Sequence, residues 1–252
     1  MKISRLIASF ALIIGGCLFA QSHAGAVTIN GLGFTTAQDT NPAPSNDGTH
    51  FHSDSGGSFG NPAGLLEVGT YFVNPLHIEE IRGHGEFNLA SIPAGAATLS
   101  FDVFGLGGLF SQANFVGDIE ILMYEANDAE DLTDYSVATV GSLATFNTGG
   151  LAVGDTLNFN VTTAVNDAKG NGYVSLGFRF QALNLGLSTS NFTVGGVTTH
   201  IISPLSGAAI TFEKMRILVE DGPIPEPEAW LLVLIWLAGL GYIRLRRGRS
   251  NA

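Results

Sequence analysis

In three stretches between residues 97 and 180, apolar and polar side chains alternate with a period of two. That spacing puts successive side chains on opposite faces of a β-strand. In Ala97–Phe104, Leu99, Phe101 and Val103 share one face, and Ser100 and Asp102 the other. Thr156–Val161 sets Leu157, Phe159 and Val161 against Asn158 and Asn160. Tyr173–Phe180 sets Val174, Leu176, Phe178 and Phe180 against Ser175 and Arg179. Runs at Val27–Phe34, Leu65–Val73, Ile119–Tyr124 and Ile210–Val219 also suit strands, with less regular alternation. Gly107-Gly108, Gly149-Gly150, Gly170-Asn171-Gly172 and Gly195-Gly196 punctuate these runs as turns. Only Asn127–Tyr135 and Thr162–Asp167 suggest short helices. The pattern predicts an all-β body over residues 27–221, a two-sheet sandwich of jelly-roll type. Asn41–Gly60, rich in Asn, Ser, Gly and Pro, reads as a long surface loop, and Asp221–Pro225 as a short stem.

The two ends follow a different pattern. Lys2 and Arg5 precede an apolar run from Leu6 to Ala20. Ser22-His23-Ala24 and Ala24-Gly25-Ala26 then offer the small side chains that a signal peptidase needs. Residues 1–26 are therefore expected to be a secretory signal peptide, since the apolar run is short for a membrane anchor. Cys17, the single cysteine, follows Ile14-Gly15-Gly16, where glycine at the middle position suits a lipoprotein signal poorly. Cleavage after Ala24 or Ala26 would leave no cysteine. The exported form would then lack disulfides, thiol catalysis and thiolate metal sites, and a packed core would have to hold it.

Composition agrees with a folded, glycine-rich body: 45% hydrophobic, 13% charged and 33 glycines in 252 residues. Of the 11 basic residues only five lie outside the two ends, whereas all 22 acidic residues lie between Asp39 and Glu228. The body thus carries roughly fifteen net negative charges. Such a field repels phosphate backbones, so nucleic acid is not an expected partner.

From Pro223 the chain runs Pro-Ile-Pro-Glu-Pro-Glu, then an apolar stretch from Ala229 to Ile243, then Arg244-Leu245-Arg246-Arg247-Gly248-Arg249. Pro225-Glu226-Pro227 has two fixed φ angles and lacks two backbone donors, so it stays extended and open to a processing enzyme. The apolar stretch would form a single short C-terminal transmembrane helix of about 22 Å, against a bilayer core of about 30 Å. Trp230 and Tyr242 lie near its two ends, where aromatic rings prefer the interface. Arg244, Arg246, Arg247 and Arg249 would hold the extreme C-terminus in the cytoplasm and leave the body outside.

The order Pro-Glu-Pro, short apolar helix, basic cluster resembles the PEP-CTERM sorting signal of Gram-negative bacteria. That resemblance covers about 30 residues and implies an exosortase as partner and delivery of the body to the cell surface or the extracellular matrix. Glu228, directly after the triplet, is a departure, since a small or apolar residue is commoner there. Within the body, Glu79–Leu89 followed by Ile92-Pro93-Ala94-Gly95-Ala96, together with Asn160–Val165, loosely resembles exported β-sandwich domains of the carbohydrate-binding-module kind. That resemblance implies a non-enzymatic body that binds or scaffolds extracellular polysaccharide in a biofilm matrix. A secreted hydrolase acting on matrix glycans or esters is the alternative. Trp230 and Trp236 both lie in the tail, so a glycan binder would depend on Tyr and Phe to stack on sugar rings.

Candidate chemistry is sparse. His50-Phe51-His52 places two imidazoles on one face of a strand, and Asp54 follows at the same parity, a spacing that can contribute to a metal site. Surface polar residues are the commoner meaning of such a group, and His84-Gly85-Glu86 is weaker still. Asn127, Asp128, Glu130, Asp131 and Asp134 form an oxygen-rich cluster without the ordered spacing of an EF-hand, more simply a solvated acidic turn than a Ca²⁺ site. No nucleophile elbow, zincin motif or phosphate-binding glycine loop occurs. The chain is expected to use no cofactor, no metal and no catalytic residue.

Overall fold

The structure, a computed structural model, describes residues 26–39, 47–53, 64–74, 77–110, 112–185, 188–194, 197–203 and 207–220. The body Ala26–Glu220 is a compact unit of its own. The alternating runs become strands because each can bury one face. In chain order they are β1 (Val27–Asn30), β2 (Leu32–Asp39), β3 (His50–Ser53), β4 (Leu66–Asn74), β5 (His77–Asn88), β6 (Ala96–Gly105) and β7 (Ala113–Asn114). Then follow β8 (Asp118–Ala126), β9 (Thr139–Asn147), β10 (Thr156–Asn160), β11 (Ser175–Ala182), β12 (Ser188–Val194), β13 (Val197–Ser203) and β14 (Ala208–Glu220).

Twelve strands belong to one sheet with the order β10-β6-β14-β4-β5-β11-β8-β9. β1 and β7 lie against β14, β2 against β5, and β3 against β2. Strands β12 and β13 form a separate hairpin. The two longest strands change partners along their length. β14 holds β6 on one side and, on the other, β4 at Ala209–Phe212 and β1 at Arg216–Val219. β5 holds β2 on one side and, on the other, β4 around Ile78–Ile81 and β11 at Gly83–Asn88. The sheet therefore curls until it is nearly closed, like a barrel. Among the described residues β9 pairs only with β8, and β10 only with β6. Their contact across the seam is made by side chains, Phe146 to Phe159 at 5.7 Å between ring centroids.

The core lies inside the curl. Phe101, fully buried, stacks on Phe159 at 5.8 Å and meets Phe180 and Phe212 edge-on at 5.0 and 5.1 Å. Leu99, Val103, Leu176 and Phe178 continue this layer along β6 and β11, as the alternation predicts.

An all-β body is what the sequence predicts, but several local expectations need correction. The run Val27–Phe34 is two strands, broken at Gly31, where a side chain would strike the Phe87 ring. The loop expected over Asn41–Gly60 contains a strand, β3. The helix expected at Asn127–Tyr135 is only a 3₁₀ turn, Leu132–Tyr135, started by Asp131 accepting from the Thr133 N–H. The helix expected at Thr162–Asp167 is present as α1 (Thr162–Gly170), with Val165 and Ala168 on its buried side. Val174 is 67% exposed because it precedes β11 rather than joining its apolar face. Of the expected signal peptide, residues 1–25 lie outside the described residues, as do the expected tail, residues 222–252, and Asp54.

Candidate functional site

Two groups of buried polar side chains sit outside the apolar core. The larger covers the opposite face of the same central strands. Registration puts Phe34 of β2, His84 of β5 and Arg179 of β11 side by side, with Glu86 and Gly177 in the next row beside Tyr124 of β8. Gly177 is required there: a Cβ would sit 2.2 Å from the Tyr124 ring. Above them lies the segment 127–137, tied down by Arg179, whose guanidinium donates to the carbonyls of Asp134, Tyr135 and Val137. The Tyr135 carbonyl also accepts from Arg82, which stacks over the Tyr135 ring.

Charge in this layer is tuned by burial. Glu86 accepts from the Tyr124 hydroxyl at 2.9 Å and from the Ala129 N–H at 3.2 Å. Burial still lifts its carboxyl above the usual range. Asp134 is pushed up to about 7, by burial first and then by the charges of Glu86 and Asp131. Burial, with the nearby charges of Arg179 and Arg82, drives His84 well below the usual imidazole range. His84 is accordingly neutral, stacked on Phe34 and held by Thr36 Oγ1 at 2.8 Å from Nε2. In the oxygen-rich cluster read from sequence as a solvated acidic turn rather than a Ca²⁺ site, Asn127 accepts from Ala129, Asp128 from Asn88, and Asp131 caps the 3₁₀ turn. Asp128 thus fastens the cover to β5, while the Asn127 and Asp131 oxygens shape turns within the cover itself.

The smaller group reaches the surface. It joins β3, β4 and β5, and it contains the histidine pair singled out from sequence. Opposite the Thr35–Thr36 step, β3 carries an extra residue, and this irregularity re-aims the side chains around His52. His52 is 3% exposed, edge-on to Phe110 at 4.7 Å and tilted against Tyr71 at 5.4 Å. Its Nδ1 donates to Glu67 Oε2 at 2.6 Å. The other Glu67 oxygen accepts from Gln112 Nε2 at 2.8 Å and the Leu109 N–H at 3.1 Å. Both oxygens of this fully buried carboxylate are thus acceptors. On the far side, His52 Nε2 and His50 Nε2 each stand 3.6 Å from Glu79 Oε2. The polar contact with Glu79 raises the His50 pKa, burial opposes that shift, and the charges of Glu79 and Asp39 add to it.

Sequence reasoning placed His50 and His52 together but missed Glu67 and Glu79, which arrive from neighbouring strands. Among the described residues, no group of three or more His, Cys, Asp or Glu side chains is placed to hold a metal ion. Pro225, Glu226, Pro227, Arg244, Arg246, Arg247 and Arg249 lie outside the described residues. In comparisons with known proteins, the chain matches no protein-family model and no curated protein.

Proposed function

We propose that the chain is an exported surface or matrix protein, sorted through its C-terminal tail by an exosortase, with a non-enzymatic body that binds or scaffolds extracellular polysaccharide. The observation that carries this reading is the succession within residues 223–249: a proline-locked triplet, a 15-residue apolar stretch and four arginines, following directly on the last strand of the body. In this reading residues 1–26 are a signal peptide removed by signal peptidase, and residues 229–243 form a short transmembrane helix until the tail is processed. The body is read as a two-sheet, jelly-roll-like sandwich whose halves are the β6–β14 and β5–β11–β8–β9 portions of the curled sheet. Its acidity suits solubility outside the cell and repels nucleic acid.

The test replaces Pro225-Glu226-Pro227 by three alanines in the native host. Wild type is expected in the surface or medium fraction at a mass lacking the tail, and the variant in the membrane at the uncut mass. Equal fractionation and equal intact mass for both would refute sorting through the triplet. Retention of the body on immobilised matrix polysaccharide from the same host is the expected result for its partner, and elution in the void would remove the glycan from this reading.

A further inference from the structure

We propose that the segment 127–137 is a pH-operated lid, held closed by a proton that neutralises Asp134 beside the buried carboxylate of Glu86, and released when that proton leaves. Geometry assigns the proton. Glu86 lies on β5 beneath the segment, 1% exposed, and its two oxygens accept from the Tyr124 hydroxyl and the Ala129 N–H. Asp134, in the segment itself, is 4% exposed, and among the described residues no donor reaches its Oδ2. Two donors favour the ionised form of Glu86, whereas a buried oxygen without one favours the neutral form of Asp134.

The cations of this layer are engaged elsewhere. Arg179 directs Nη1 at the carbonyls of Asp134, Tyr135 and Val137, and Arg82 pairs with Glu80. The other groups around Asp134 hold their charge near neutrality. His84 of β5 is kept neutral, burial pushes the hydroxyls of Tyr124 and Tyr135 up, and both arginines are guanidinium cations throughout. Asp128 and Asp131 of the segment, and Asp47, which accepts from Ser136, complete the acidic surroundings, while β2 presents the uncharged Thr36.

The segment is built to come away. Of its residues only Asp134 and Tyr135 are buried. Its remaining ties are polar: the Arg179 and Arg82 bonds to carbonyls, Gly48 N–H to the Leu132 carbonyl, Ser136 to Asp47, and Asn88 to Asp128. Water can replace each of them, the mark of a locally opening unit. Burial first, then the charges of Glu86 and Asp131, lift Asp134 from 3.8 to about 7 in the closed form. A closed-state value above the open one means that the closed form binds the proton more tightly. Closure is therefore fully favoured below about pH 4 and weakens as pH rises through about 7. Opening frees the guanidiniums of Arg82 and Arg179, two of the five basic residues of an acidic body, so the lid decides when this face shows positive charge.

The experiment is amide hydrogen exchange, followed by mass spectrometry, on the full chain in mild detergent at pH 5, 6, 7 and 8, with rates corrected for the pH dependence of intrinsic exchange. The open fraction of segment 127–137 is expected to grow by about 10- to 100-fold from pH 5 to pH 8, while the amides of β6 hold their protection. Asp134→Asn, which carries the neutral shape at every pH, should abolish the rise and be better protected there than wild type at pH 8. That gain is one that mere loss of packing cannot produce. Glu86→Gln removes the neighbouring charge and should move the rise to lower pH and shrink it. A wild-type rise in the segment no larger than that in β6 would overturn the proposal, as would an Asp134→Asn chain that keeps the wild-type rise.

Discussion

The two faces of β11 bury side chains by opposite means. Leu176, Phe178 and Phe180 enter the aromatic core, where they need only volume and shape. Ser175, Gly177 and Arg179, on the other face, are equally hidden from water, but beneath a polar cover. There the charged and aromatic polar groups depend on specific partners: Arg179 on three carbonyls, Glu86 on Tyr124 and Ala129, His84 on Thr36. The apolar face stabilises by area removed from water and is indifferent to protons. Removing one member of the polar face strands the others, and that face responds to pH.

The strongest test of this contrast truncates the aromatic centre. Phe101→Ala should cost about 3–5 kcal/mol in urea unfolding, with the pH dependence of stability unchanged. A loss below about 1 kcal/mol would mean that the core collapses into the space. On the other face, Arg179→Met keeps the bulk and removes the donors, leaving the carbonyls of Asp134, Tyr135 and Val137 without that partner. About 2–3 kcal/mol should be lost, and the segment 127–137 should exchange its amide hydrogens faster; an unchanged exchange pattern would show that the cover does not depend on Arg179.

A pH series sharpens the comparison further. Asp134 rises from an ordinary carboxyl value to about 7 in the folded protein, so its protonated form is the one the fold prefers. Its contribution is fully present below pH 4 or so and is lost as pH rises through about 7, on the order of 2 kcal/mol after allowing for its coupling to Glu86. Urea midpoints between pH 4.5 and 8 should fall accordingly for wild type, and Asp134→Asn should flatten that slope. An equal slope in the variant would place the titration elsewhere. Smallest is the effect at Lys214, in the β14 irregularity that belongs to neither face, where φ is 52°. Lys214→Gly relieves the left-handed backbone while loosening the unfolded chain, and the net change should stay within about 1 kcal/mol, read as a small shift in melting temperature.

The apolar face was legible in the sequence because alternation declares it: Leu99, Phe101, Val103, Leu176, Phe178 and Phe180 are all buried on the predicted side. Its polar counterpart was not. Ser175 and Arg179 carry the pattern of a solvent face, and what hides them is a segment some forty residues earlier whose docking leaves no periodic signal. Strand β3 was glimpsed only in the His50 and His52 spacing and otherwise read as loop, because a four-residue strand set among Asn, Ser, Gly and Pro has too few positions to show a period. Edge strand β9 was missed because partial burial weakens its alternation. In the histidine group, the i, i+2 spacing revealed His50 and His52. Glu67 and Glu79 came from strands brought alongside only by the fold, and the sequence pointed instead to Asp54.

Strand β14 ties together the first, fourth, sixth and seventh strands, and its Val219 lies opposite Val27. A chain made from its N-terminus onward therefore carries β1, β4 and β6 for most of its synthesis without the neighbour each awaits, and their bare edges are open to mispairing. Loops this long close slowly, so assembly belongs to the millisecond-to-second regime of β proteins dominated by distant contacts. The final pairing waits until residue 220 is free. Completion of the body therefore requires nearly the whole of residues 27–220, and a chain cut short within β14 would leave β1, β4 and β6 unpaired along that edge.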